Sequence, residues 1–95
     1  MWGFFIMYYT YIIYSAISDV YYKGFSNDPV HRLWEHNNEL SHYTAGKGPW
    51  KLVYLKEFET KREALIEEKR LKKLNRRSIE ILASSYLSQS KGDLG

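Results

Sequence analysis

Eight residues near the start, Tyr8 to Ser15 (YYTYIIYS), constrain this chain more than any other stretch. Nearly every position is apolar or aromatic. Tyr, Ile and Thr suit a pleated surface, and a short run with no polar face fits a strand covered on both sides and central in its sheet. Ser18-Asp19 then signals a turn, and Val20 to Phe25 reads as a second strand, interrupted by Gly24. A glycine inside a strand marks a bulge or the close approach of a backbone or ligand. The short connection makes the two strands an antiparallel hairpin.

Ser26-Asn27-Asp28-Pro29 opens a helix, with Asp28 as cap and Pro29 at the first helical position. Val30, Leu33, Trp34 and Asn37 share one face of it; Arg32, Glu35 and His36 share another. The helix is expected to fade near Leu40, and Ser41 to Pro49, with Gly46, Gly48 and Pro49 as breakers, reads as a loop. Trp50 to Phe58 alternates as a third strand. Thr60, with Glu63 as its capping-box partner, starts a helix that runs to about Leu74. Arg77 to Tyr86 forms a third helix, or continues the second after a bend at Asn75. The order β-β-α-β-α-α predicts an α+β fold, a small three-stranded antiparallel sheet flanked by helices. The 95 residues make one domain with a modest core, placed at 8–87. Residues 1–7 are an extension or the start of the first strand, and 88–95 a frayed polar tail. Met7 serves as a start as well as Met1.

Several classes drop out. Without cysteine there is no disulfide framework and no thiolate zinc site, which fits a reducing cytoplasm. The segment before Asp19 carries no charge, but tyrosines and Thr10 interrupt it, and a membrane span needs ~20 apolar residues. A secretory signal needs an early basic region, and no Lys or Arg precedes Lys23. A membrane role is therefore not expected. Net charge is +3, but Lys61 to Arg77 holds eight basic residues against three Glu. Such a run is either a solvated helix face or a polyanion-binding surface.

Glu68 is the odd residue of the second helix. It falls beside Ala64, Leu65 and Leu71 on one side at helical spacing. Either it pairs with Lys72 at i+4, or it serves as the single carboxylate ligand of a hydrated divalent cation. Arg32 and His36, four apart, either lie on a solvated face near Glu35 and Glu39 or form an anion site. Arg offers a planar fork for phosphate oxygens and His a proton-transfer group near neutral pH. Tyr11 and Tyr22 read as ordinary strand aromatics by pattern alone. His31 and His42 have no partner spacing. There is no Gly-rich phosphate loop and no Ser/His/Asp set.

In this order the segments resemble a known family. Tyr9-Thr10-Tyr11 followed by IIYS, Tyr22-Lys23-Gly24 inside VYYKGFS, then DPVHRLWEHN, GPWKLVYLKEF and TKREALIEEKRLKKL are similar to the GIY-YIG nuclease superfamily. The likeness is greatest to its small single-domain bacterial members, similar in turn to the nuclease domain of the excision-repair endonuclease. It spans Tyr8 to Leu82. The resemblance implies a DNA endonuclease, in repair or recombination and with a structured substrate, using one Mg²⁺ or Mn²⁺ and no small-molecule cofactor. It implies catalytic roles for Tyr11, Tyr22, Arg32, His36 and Glu68, with Glu68 holding the metal. Lys69, Lys72, Lys73, Arg76 and Arg77 would lie along the DNA backbone. The chain departs from the pattern at Tyr9, Thr10 and Lys23. The competing expectations are a catalytically silent nucleic-acid-binding module of the same fold, and a tethered or partner-binding protein using the charge-free N-terminus.

Overall fold

The two-sided cover that Tyr8–Ser15 demands is what the chain supplies. In the computed structural model, which describes residues 6–94, β1 (Tyr8–Ser15) is the middle strand of a three-stranded sheet of order β2-β1-β3. β2 (Val20–Ser26) and β3 (Lys51–Phe58) both run antiparallel to it. The helices are α1 (Pro29–Asn37), α2 (Lys61–Lys72) and α3 (Arg76–Leu94). On one face Ile12 and Val53 pack with Leu71 of α2 and with Ile79 and Ala83 of α3. On the other, Tyr11, Ile13 and Trp50 pack with Leu33 of α1 and with Tyr22, Leu52 and Leu55.

Local chemistry sets the helix starts. The Asp28 carboxylate accepts the His31 N–H at 3.2 Å, and the Thr60 hydroxyl accepts the Glu63 N–H at 3.2 Å. Asn75 does the same for Ser78 at 2.9 Å, so the third helix is a separate element after a break. α2 is strapped to the central strand where the Thr10 hydroxyl donates to the Ala64 carbonyl at 2.6 Å. Ala64 is fully buried, and its small side chain lets the helix approach this closely.

Val30 and Trp34 face outward, Val30 at 81% exposure, because α1 turns Leu33 and His36 toward the sheet. Three expectations need correction. α1 ends at Asn37, three residues short of Leu40. On α2 the buried stripe is Ala64, Glu67 and Leu71; Leu65 is exposed. α3 continues through Leu94, so the tail from Ser88 is helical up to that residue. Of the proposed extension at residues 1–7, positions 1–5 lie outside the described residues.

Candidate active site

The site is built from one buried phenol outward. Tyr11 points to the α1 side of β1, directly across from Gly24 on β2. A Cβ on Gly24 would overlap the end of the Tyr11 ring, so the strand glycine clears a path for the phenol. This is close approach by a side chain rather than a bulge; the bulge lies in the β1–β3 pairing at Ile12/Ile13. The Tyr11 hydroxyl reaches His36 Nε2 on α1 at 2.8 Å, and His36 Nδ1 meets Thr44 Oγ1 at 2.7 Å. His36 and Thr44 are sealed from solvent, at 1% and 0% exposure. Tyr22 packs its ring 5.2 Å from the imidazole and 5.4 Å from the Tyr43 ring. Its hydroxyl has no hydrogen-bond partner among the described residues.

Charge around the phenol is mixed. Burial pushes Tyr11 up to about 12, against the pull of the neighbouring Arg32, while Tyr22 and Glu68 push the same way as burial. Arg32 is half-buried and donates to Glu35 at 3.2 Å. Burial opposes its charge, but Glu35 and the Tyr11 phenol hold its pKa above the ordinary value. Burial, with Arg32 adding to it, brings His36 down to about 4. At neutral pH the imidazole is therefore uncharged, with one lone pair available. Tyr11, Tyr22, Arg32 and His36 thus meet at one place, and Glu68 lies close enough to act on the Tyr11 phenol electrostatically.

Residues 7–80 match the family described as the GIY-YIG catalytic domain. The chain belongs to the GIY-YIG family. Its relatives include a UPF0213 protein of Clostridium perfringens, 38% identical over 85 residues that make 87% of this chain and 90% of the relative. A UPF0213 protein of Halobacterium salinarum is 35% identical over 77 residues, 80% of this chain and 99% of the relative. The solution NMR structure of a UPF0213 protein from Bacillus halodurans superposes with a TM-score of 0.53 at 34% identity, covering 82% of this chain and 83% of that one. The family is one of nucleases, and its substrate class is nucleic acid.

In this GIY-YIG domain two neighbouring carboxylates of α2 differ in what they are free to bind. Glu67 is spent: both oxygens accept from Arg70, at 2.7 and 2.8 Å, and the Tyr54 hydroxyl adds a third bond at 3.1 Å. Glu68 is partly buried and meets only Lys72, at 3.5 Å from Oε2. Its other oxygen has no partner among the described residues, which fits a hydrated cation held by a single carboxylate. Among those residues there is no cluster of three His, Cys, Asp or Glu.

The basic run divides. Lys69, Lys73 and Arg77 are exposed and make no ion pair among the described residues, and Lys72 shares itself with Glu68. Arg76 is committed elsewhere: it binds Asp19 at 2.5 Å and Glu80 at 3.4 Å and lies over the Tyr21 ring. It ties α3 to the β1–β2 turn. No helix among the described residues is long and apolar enough to cross a membrane. Thr44 was missed because it lies in a segment whose glycines and Pro49 mark only a loop. The Tyr54–Glu67–Arg70 cluster was missed because Leu65, not Glu67, has the apolar side chain expected to be buried.

Proposed function

We propose that this GIY-YIG domain is a metal-dependent endonuclease that hydrolyses DNA phosphodiester bonds, acting in the cytoplasm on branched or damaged DNA of repair and recombination. The observation that carries the reading is the buried Tyr11–His36 hydrogen bond with Arg32 beside the same phenol. A tyrosine held near 12 is a poor base by itself at neutral pH. Joined to a neutral imidazole it becomes a relay. The attacking water gives its proton to the Tyr11 oxygen as the phenol proton passes to His36 Nε2. Tyr11 and His36, both almost fully buried, thus share the role of base. Tyr22, with an unengaged hydroxyl, orients the water or the phosphate. Arg32 sets a fixed positive charge against the nonbridging oxygens, where negative charge grows. Glu68 would hold the Mg²⁺ or Mn²⁺, which when bound would supply Lewis-acid stabilisation of growing negative charge. Lys69, Lys72, Lys73 and Arg77 follow the DNA backbone with little sequence preference.

The test is nicking of linear and branched DNA with Mg²⁺ or Mn²⁺ by the wild type, Glu68→Ala and Arg32→Ala. Cleavage by the wild type and its loss in both variants is expected; equal cleavage by all three removes the assignment. A second reading, a silent nucleic-acid-binding module, draws on the Glu68–Lys72 pair and on the 2% exposure of Tyr11. It requires salt-sensitive DNA binding that survives both substitutions with no cleavage in any metal.

A further inference from the structure

The loop between α1 and β3 delivers one side chain to the relay and is itself held firmly. Thr44 Oγ1 sits 2.7 Å from His36 Nδ1, and the Thr44 carbonyl accepts the Trp50 indole N–H at 3.2 Å. The Asn37 side chain clamps the Trp50 backbone from both sides, accepting its N–H at 2.5 Å and donating to its carbonyl at 3.1 Å. Ser15, at the end of β1, donates to the Lys47 carbonyl at 2.5 Å. Thr44 is therefore tied at once to α1, to Trp50 just before β3 and, through Lys47, to the strand that carries Tyr11.

The direction of each bond follows from the donors available. A guanidinium has only N–H donors, so Arg32, whose charge acts on the phenol, offers the Tyr11 proton no acceptor. The Tyr11 proton is left to point at His36 Nε2, 2.8 Å away. A neutral imidazole that accepts at Nε2 carries its own proton at Nδ1, and its partner there is Thr44 Oγ1.

We propose that Thr44 is a positioning residue that holds His36 as the Nδ1–H tautomer, with the Nε2 lone pair kept for the Tyr11 proton. The inference rests on the relay reading above. In the step itself a water O–H bond breaks and a new O–H forms at Tyr11. The original phenol O–H breaks and an N–H forms at Nε2, leaving an imidazolium whose Nδ1–H still donates to Thr44. If Thr44 no longer accepts, the imidazole is free to carry its proton at Nε2 and donate it to the phenol. The lone pair then lies on the wrong nitrogen.

The experiment pairs ¹⁵N-detected histidine spectra at neutral pH with single-turnover Mg²⁺-dependent DNA cleavage, for the wild type, Thr44→Ser and Thr44→Val. The wild type and Thr44→Ser are expected to show His36 protonated at Nδ1 alone. Thr44→Val is expected to show mixed or Nε2 protonation and a rate on the order of 10- to 100-fold lower, by analogy with other partners that orient a working histidine. DNA affinity is expected to stay unchanged, and serine restores the rate. An Nε2–H tautomer in the wild type overturns the assignment, even if Thr44→Val does not fold. A Thr44→Val protein that keeps the tautomer, or changes it at full rate, overturns it as well. Absence of cleavage by the wild type removes the nuclease reading instead, while the spectra still decide whether Thr44 fixes the imidazole.

Discussion

The molecule holds two tyrosines whose phenols are both pushed up to about 12, and they sit in opposite kinds of surroundings. Tyr54 donates to Glu67, whose oxygens are also gripped by Arg70, so both carboxylate oxygens are engaged and the charges are paired. Tyr11 is hydrogen-bonded to an uncharged imidazole whose partner across the ring is a hydroxyl, with the Arg32 charge acting on the phenol. The first arrangement is closed; moving its proton would break an ion pair. The second has a vacant basic site on one side and a cation that stabilises a phenolate on the other. A raised tyrosine pKa is common to both and so identifies neither. What separates them is whether the proton has somewhere to go.

Disabling the acceptor on each side gives the largest expected contrast. His36→Gln removes the relay's base, and the cleavage rate is expected to fall by roughly 10²- to 10⁴-fold, the range of general-base contributions. Glu67→Gln is expected to leave the rate within about twofold, because that cluster touches no proton in flight. Equal losses in single-turnover assays would erase the distinction.

Gly24→Ala attacks only the Tyr11 side. The added methyl has no room beside the phenol and must push it off His36. A displacement of this size costs on the order of 10²-fold in rate, with a lower melting temperature. A variant with full activity would mean that the phenol moves without consequence.

Acid unfolding sharpens the same contrast. His36 has its pKa lowered to about 4 by burial and Arg32, so the unfolded chain takes up the proton first. Its stabilising effect is complete above pH ~6.5 and lost as pH falls from there through about 4, at most on the order of 3 kcal/mol. Glu67 is held below the usual carboxylate range by Arg70, so its contribution is present above pH ~4.5 and lost as pH falls through its lower folded value. Denaturant titrations at several pH values should show the first window vanish in His36→Gln and only the second in Glu67→Gln.

The smallest effects lie on the basic helices. Lys73→Gln or Arg77→Gln is expected to reduce the slope of log affinity against log salt by up to about 0.9 for each phosphate no longer neutralised. Arg76→Gln should leave the slope unchanged and lower stability, since its charge is spent on Asp19 and Glu80. Binding measured across a salt series separates the two.

How much of this was legible in the sequence depends on distance along the chain. The hairpin, the capped helices and the central strand follow from local signals at Ser18-Asp19, Asp28-Pro29 and Thr60. Arg32 and His36 were visible because helical spacing puts them on neighbouring positions. The exposure of Trp34 and Val30 was not visible, because hydrophobic spacing says which residues share a face but not which face the sheet takes. Thr44 meets His36 only after the loop folds back, and Arg76 meets Asp19 across 57 positions. Pairings of that kind have no signature in spacing.

The most direct measurement removes one oxygen from each tyrosine. Tyr11→Phe and Tyr54→Phe each delete a hydroxyl and one hydrogen bond, with a stability loss of about 1 kcal/mol apiece. In Mg²⁺-dependent single-turnover cleavage, Tyr11→Phe is expected to fall close to background while Tyr54→Phe cuts as the wild type does. Wild-type cleavage by Tyr11→Phe would contradict the account.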